Sequence, residues 1–377
     1  MDFDLTSEQE LIRDTVRSFA RERVAPVAEE LDRQARFPVE LVREMAGLGL
    51  MGIPIDENYG GAGGDTVSYA IAIEELTRID SSVAITVAAH TSLGTMPIYL
   101  FGSQEQKERW LPDLASGRRL AAFGLTEPDA GSDAGAARTT AELRDRTWVV
   151  NGSKMFITNA GTELTWGVTI TARTGEDEIS NLVVENGTPG YAISEPLSKL
   201  GWKASDTREL TFADCGVPEG NLLGPRGKGF HQFLEILDGG RISVAAMGVG
   251  LAQGAYDLAY AYAQERQQFG RPIGKFQAVA FKLADMAVEI EAGRQLVLKA
   301  AWLKDSGRPF ALEAAMAKLY TGELSHRVVN QALQIHGGYG FMDEFAISRL
   351  YRDQKILEIG EGTNEVQRMV VAKHLGL

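Results

Sequence analysis

Glu361 is the residue whose surroundings most suggest chemistry. It lies in Leu357-Glu-Ile-Gly-Glu-Gly-Thr-Asn-Glu-Val-Gln367, with Gly360 before it and Gly362 after it. Glycines let a backbone approach a ligand closely and take angles other residues avoid. A helical pattern of Val366, Met369, Val370 and Ala372 follows. An uncrowded carboxylate ahead of a helix suits a general base. Alone, the segment reads more simply as a surface glutamate in a turn, with Thr363 capping the helix.

Other segments offer matching chemistry. Phe123-Gly-Leu-Thr-Glu-Pro-Asp-Ala-Gly-Ser-Asp133 presents backbone N–H groups and the Thr126 and Ser132 hydroxyls to an electron-rich ligand. In Lys154-Met-Phe-Ile-Thr-Asn159, strand alternation puts Phe156 and Thr158 on one face, one to stack and one to hydrogen-bond. Asp238-Gly-Gly-Arg241 reads as a helix start that brings a carboxylate and a guanidinium together. Arg266-Gln-Gln-Phe-Gly270, with Gln277 beyond it, suits a pyrophosphate. Gln334-Ile-His-Gly-Gly-Tyr-Gly340 adds a glycine-rich turn. Each has a plain reading too: polar loop, half-buried strand, capping Asp, solvated helix end.

Several patterns are set aside. Gly47-Leu-Gly-Leu-Met-Gly52 matches GxGxxG, but helix precedes it and Pro54 follows, so it reads as a helix end and turn. Gly248 to Gly254 lies in an apolar helical run and suits close helix contacts. The five histidines, His90, His231, His326, His336 and His374, lack metal-ligand spacing, so no metal is expected. No Gly-x-Ser-x-Gly is present, which argues against a serine hydrolase. Phe269 and Phe276 read by default as core.

The elements that must position these groups fall into three zones. Residues 1–120 read as helical, opening with a Ser7/Glu10 capping box and with Leu11, Ile12, Val16 and Phe19 at helical spacing. Residues 121–225 read as β. There Trp148-Val-Val150 and Met155-Phe-Ile157 flank Asn151-Gly152, a hairpin signal, and Asn186-Gly187 and Pro189-Gly190 mark further turns. Residues 226–377 return to helix, with Val279, Leu283, Met286, Ile290 and Val297 along one apolar face. The βαβ alternation of a nucleotide-binding α/β protein is absent.

Composition bounds the partners. The chain has 377 residues, of which 44% are hydrophobic and 24% charged, as in soluble globular proteins. A net charge of −13 argues against nucleic acid. The single cysteine, Cys215, rules out an internal disulfide. The opening MDFDLTSEQE shows no targeting pattern, and the longest apolar run, Val244 to Ala252, is far short of a membrane span. A cytoplasmic protein without a membrane partner is expected.

Taken together in this order, the motifs resemble the acyl-CoA dehydrogenase family across almost the whole chain. GGAGGD (60–65), FGSQEQKERWLP (101–112), TEPDAGSDAG (126–135), LDGGRI (237–242), RQQFG (266–270), IHGGYG (335–340) and EGTNEVQR (361–368) carry the resemblance, which is closest to the short-chain, butyryl-type and bacterial members. It implies a mostly α fold with a β-barrel-like middle domain, an N-terminal helical domain and a C-terminal four-helix bundle. It also implies a homotetramer, a dimer of dimers, holding FAD. By similarity the flavin site would draw on Phe123, Leu125, Thr126, Gly131 and Ser132, and on Phe156, Ile157 and Thr158, with Thr158 near N5. Arg266, Gln277, Gln334, Ile335, Gly337 and Gly338 would reach a neighbouring subunit's FAD. Phe269 joins the cofactor set, as do Thr363, Asn364 and Glu365. Ser132, Asp238, Arg241 and Gly362 look like acyl-CoA contacts.

The implied reaction is α,β-dehydrogenation of an acyl-CoA to the trans-2-enoyl-CoA, as in fatty acid β-oxidation. Glu361 removes the α-proton, the β-hydrogen leaves as hydride to flavin N5, and electrons pass to an electron-transfer flavoprotein. Some branches of the family place the base near Asp238–Arg241; Gly239 and Gly240 offer no carboxylate there. Gly360, where the family often has tyrosine, implies a pocket tolerant of branched or bulkier acyl groups. Phe156 replaces a frequent tryptophan, and Arg208 is bulkier than the residue often found there. Alternatives are a dehydrogenase of acyl-carrier-protein thioesters, a same-fold flavin oxidase or monooxygenase, and a non-catalytic nucleic-acid binder, the last opposed by the charge.

Overall fold

A computed structural model describes residues 4–377. The N-terminal helices are α1 (Ser7–Phe19), α2 (Ala25–Gln34), α3 (Val39–Gly47), α4 (Thr66–Thr77), α5 (Ser81–Ala88), α6 (Met96–Phe101) and α7 (Gln104–Ala115). A π-helical stretch, Ala89–Thr95, joins α5 to α6. The cap of α1 falls one residue earlier than Ser7/Glu10. Thr6 and Gln9 exchange the two capping bonds, and Gln9 also donates to Asp65 at 2.9 Å. Both registers satisfy the capping spacing, and the contact to Asp65 distinguishes the one adopted. The GxGxxG segment is a helix end and turn: α3 stops at Gly47, and Gly49 has φ +75°.

The middle zone holds β1 (Leu120–Gly124), β2 (Thr140–Arg144), β3 (Thr147–Thr158), β4 (Thr165–Arg173), β5 (Ile179–Glu185), β6 (Tyr191–Ile193), β7 (Thr207–Pro218) and β8 (Leu222–Leu223). They form one eight-stranded sheet in the order β6-β7-β3-β2-β4-β5-β8, with β1 parallel to β4. Trp148, Val150, Val168, Ile170, Leu182 and Phe212 are among the buried side chains of its core.

Two expectations in this zone are corrected. Asn151-Gly152 is not a hairpin turn but a bulge inside β3. The turn from β2 to β3 is Asp145-Arg146, where both residues have positive φ, the requirement of a tight primed turn. At the bulge Asn151 exchanges hydrogen bonds with Asp214, and a Cβ on Gly152 would meet Thr139 Oγ1 at 2.5 Å. Phe156 has φ +63° at a second register shift, so simple alternation with Thr158 does not run through it.

The C-terminal helices are α8 (Gly229–Glu265), α9 (Gln277–Asp305), α10 (Ala311–His336), α11 (Ala346–Asp353) and α12 (Asn364–His374). Leu283, Met286, Ile290 and Val297 give α9 its buried stripe. The small residues of α8 do bring backbones close. A Cβ on Gly248 would lie 2.8 Å from Thr321, and one on Gly250 would lie 2.3 Å from the Glu74 carbonyl. The apolar core runs continuously from α4 and α5 into α8, α9 and α10. One stretch, Ser81–Phe101, is long and apolar enough to cross a membrane, yet 83% of its most apolar window is buried in the protein, as in a core helix.

Candidate active site

Glu361 sits in a tight loop between a 3₁₀ turn (Gln354–Glu358) and α12. Thr363 caps α12, its hydroxyl accepting from the Val366 N–H. The loop makes two successive left-handed residues, Glu361 at φ +54° and Gly362 at φ +85°. Glycine takes this conformation freely, but a glutamate there is strained and must be held by its surroundings. Two buried side chains converge on the loop. Lys318 Nζ donates to the Gly362 carbonyl at 2.8 Å, and Gln367 Nε2 donates to the same carbonyl at 2.9 Å and to that of Glu361 at 3.2 Å.

The Glu361 carboxylate oxygen Oε2 is buried and has no hydrogen-bond partner. Burial pushes the carboxyl pKa up to about 7, against the pull of Arg241 and Lys318. Asp238 and Arg241 do not begin a helix, as their sequence suggests; they lie well inside α8, which starts at Gly229. Arg241 is 4% exposed and pairs with Asp238 at 2.5 Å, while its Nε lacks a partner. Between them, Gly240 faces Glu361: a Cβ there would lie 2.2 Å from Glu361 Oε2 and 3.4 Å from Leu93. The glycine makes room for the carboxylate itself, and the two orphaned polar atoms, Glu361 Oε2 and Arg241 Nε, suit a polar ligand group.

Sequence reasoning missed the remaining walls. Tyr69 is buried on α4, donates to the Ala88 carbonyl at 3.1 Å, and sits among Ser243, Ser92, Thr91 and the Glu361 carboxylate. Ser92 donates to the same Ala88 carbonyl at 2.6 Å. No local pattern marks Tyr69 or Lys318, which meet the Glu361 loop from distant segments, whereas Gln367 belongs to the EGTNEVQR stretch and contacts its own loop.

The Phe123–Ser132 segment and the end of β3 are brought together. Lys154 Nζ, fully buried, reaches Glu127 at 2.7 Å and the Leu125 carbonyl at 3.2 Å, and Met155 N–H donates to the Thr126 carbonyl. Phe156 is 66% exposed beside them, whereas the Ile157 side chain is buried in the sheet core. Gly131 and Ser132 are exposed.

Elsewhere, Arg266, Ile335, Gly337 and Gly338 line a cleft of about 530 Å³ together with Tyr262 and Tyr339. A Cβ on Gly337, Gly338 or Gly131 would meet nothing within 4 Å, so these backbones border open space. Thr363, Asn364 and Glu365 border a hollow of about 370 Å³, although the buried Asn364 side chain accepts from Lys318 at 3.2 Å. Gln277 and Gln334 are exposed, and Phe269 is 92% exposed rather than core. The Arg266 guanidinium beside the open Gly337–Gly338 backbone suits an anionic group, and the exposed Phe156 ring, elsewhere in the chain, suits a planar one, the two kinds of group a flavin dinucleotide carries. Arg208 is largely enclosed, its side chain 14% exposed. It is tied to Asp206, the Ser194 carbonyl and the Gly161 carbonyl.

Known proteins resemble this chain over its whole length. The N-terminal, middle and C-terminal domain models of acyl-CoA dehydrogenase match residues 6–118, 122–215 and 227–376. A probable acyl-CoA dehydrogenase, YngJ, of Bacillus subtilis is 52% identical, with all of both chains covered. A short-chain specific acyl-CoA dehydrogenase of Clostridium acetobutylicum is 48% identical over 99% of each chain. The solved butyryl-CoA dehydrogenase of Megasphaera elsdenii superimposes with a TM-score of 0.97 at 44% identity, covering 100% of both chains. A structure described as the electron transferring flavoprotein of Acidaminococcus fermentans includes a chain with a TM-score of 0.97 at 45% identity, covering 100% of this chain and 99% of that one.

Fold and site thus define a flavin-dependent oxidoreductase with a sheet domain set between helical ones. The chain belongs to the acyl-CoA dehydrogenase family, whose cofactor is FAD.

Proposed function

We propose that this protein oxidises short-chain acyl-CoA thioesters to the trans-2-enoyl-CoA, with Glu361 as the base that removes the α-proton. The observation that carries the reading is the Glu361 carboxylate: buried, unpartnered at Oε2, raised to about pKa 7 and seated in the room that Gly240 leaves for it. A carboxylate poised near neutral pH is both available as a base and basic enough to act. The Glu361 N–H, on a backbone held in a left-handed turn, is the donor for the thioester carbonyl, where negative charge develops. Asp238, Arg241, Ser132 and Gly362 hold the acyl-CoA. The residues assigned to FAD above would hold it, and it would supply the acceptor for the β-hydrogen as hydride. Water exclusion around Glu361 keeps the carboxylate basic.

The names of the relatives support a short acyl group, and Gly360 in place of a bulky side chain supports tolerance of branching. Electrons leave to an electron-transferring flavoprotein, a homotetramer is the working form, and a cytoplasmic role in fatty acid β-oxidation follows from the same reading. Anaerobic titration of the yellow protein with a panel of acyl-CoAs tests it. Bleaching by butyryl-CoA or a short branched thioester is expected, and a flavin that no thioester bleaches overturns it. Glu361→Gln binds the same ligands but bleaches far more slowly.

A further inference from the structure

Lys318 and Lys154 are the two lysines with fully buried side chains among the described residues, and they are solvated differently. Lys154 is neutralised directly by Glu127 at 2.7 Å. Lys318 gives its hydrogen bonds to neutral oxygens, the Gly362 carbonyl and the Asn364 side chain, and not to a carboxylate. Burying an ammonium without a paired anion is costly. Were a hydrogen bond all the loop required, a neutral donor would supply it at lower cost, as Gln367 does at the same carbonyl. The charge itself therefore calls for a purpose, and the carboxylate that dominates its surroundings is Glu361.

We propose that Lys318 is a positioning residue for the base: its ammonium clamps the Glu361–Gly362 turn and places a fixed positive charge behind the Glu361 carboxylate. The inference rests on Glu361 being the base. The clamp acts on geometry. Glu361 is held at φ +54°, where a non-glycine residue does not stay unaided, and the carbonyl of the next residue receives two buried donors. Holding that peptide plane also fixes the direction of the Glu361 N–H and side chain. The charge acts on ionisation. Around Glu361 stand Arg241 on α8, Lys318 on α10 and the Tyr69 hydroxyl on α4. Arg241 is already engaged by Asp238, which leaves Lys318 as the cation near the base with no carboxylate bonded to it. Glu358 and Glu365 also act on Lys318, as does repulsion from Arg241. Burial pushes the Lys318 pKa down to about 8, so it remains largely charged where Glu361 titrates.

The two roles separate in three variants of the full-length flavoprotein, with FAD content and melting temperature as controls for folding. Lys318→Met removes donor and charge. Its kcat is expected to fall about 10-fold or more, with the apparent pKa of the kcat profile moved to higher pH by roughly one unit. Lys318→Gln keeps a donor without the charge, so part of the rate returns and the alkaline shift remains. Gln367→Leu removes a donor from the same carbonyl but no charge, so the rate falls without an alkaline shift. A merely structural lysine would lower the rate and the melting temperature and leave the pH profile in place. A Lys318→Met profile superimposable on the wild type in pH overturns the proposal, as does failure of both Lys318 variants to fold as flavoproteins while Gln367→Leu folds with wild-type kcat. If Glu361→Gln abolishes bleaching while the Lys318 variants show no shift, only this inference fails; if Glu361→Gln still bleaches at the wild-type rate, the assignment of the base fails first.

Discussion

Gly240 and Glu361 compete for one volume: a Cβ on Gly240 would stand 2.2 Å from Glu361 Oε2, well inside van der Waals contact. Gly240→Ala must therefore displace the carboxylate. Small displacements of a reacting group cost about 100-fold in rate, so kcat should fall by that order while FAD content and the melting temperature stay close to wild type. The same proximity makes Gly240 the place to which a base can be moved. The double variant Gly240→Glu with Glu361→Gly should recover measurable dehydrogenation over Glu361→Gly alone. Steady-state kinetics with butyryl-CoA decides both, and a Gly240→Ala enzyme of wild-type kcat would count against the geometry.

The raised Glu361 pKa has consequences for both rate and stability. The base must be ionised, so kcat/KM should rise with pH and level off above about 7. For stability the sign is opposite to that of a surface carboxylate. Between the ordinary value of 4.5 and about 7, the native state keeps a proton that the unfolded chain has released. Raising the pH through that window therefore weakens the fold, and the loss is complete above about 7. Glu361→Gln removes the burden. At pH 8 it should be more stable than the wild type by roughly 1–3 kcal/mol, with the difference gone below the ordinary carboxylate range. Denaturant melts of both proteins at pH 4 and pH 8 measure it.

Gly360 is free to accept a side chain. It does not lie in the left-handed region, and an added Cβ would meet only the Ile356 carbonyl at 3.4 Å and Ile356 Cγ1 at 3.9 Å, ordinary contact distances. Gly360→Tyr should therefore fold normally. If the open position admits branched acyl groups, the tyrosine should lower kcat/KM for isobutyryl-CoA relative to butyryl-CoA by about 10-fold, the scale of one or two methyl groups in a pocket. An unchanged ratio would end the case for Gly360 as the selectivity position.

What could be read from sequence was what depends on neighbours in the chain. The Thr363 cap of α12, the rejection of Gly47–Gly52 as a nucleotide loop and the apolar stripe of α9 all follow from short-range spacing. Asn151-Gly152 misled because the same dipeptide that favours a turn also suits a bulge. At the bulge a Cβ at 152 would collide with Thr139, a contact made across the sheet and not between chain neighbours. Gly239-Gly240 looked like a helix boundary because glycine weakens a helix by about 1 kcal/mol. The helix runs through regardless, since Gly240 leaves the space that Glu361 fills. Lys318 and Tyr69 carried no local signal at all; only the fold brings them to Glu361.

The Lys154–Glu127 pair gives a prediction about the flavin side of the site. Glu127 accepts from Lys154 and from the backbone N–H groups of Arg138 and Thr139, while Lys154 also reaches the Leu125 carbonyl and the Thr171 hydroxyl. Four segments thus meet at one buried ion pair beneath the Phe123–Ser132 loop. Removing one partner leaves the other charged and buried, a change that costs about 3–5 kcal/mol. Lys154→Met should lose stability on that scale. The loop that Lys154 supports should then hold FAD less tightly, so the variant should release flavin on dilution or gel filtration where the wild type does not. Lys154→Met with Glu127→Gln removes both charges and should recover much of the stability, because no unpaired charge remains. Equal losses in the single and double variants would show that the charges are not coupled, and retention of flavin by the single variant would separate the ion pair from the cofactor loop.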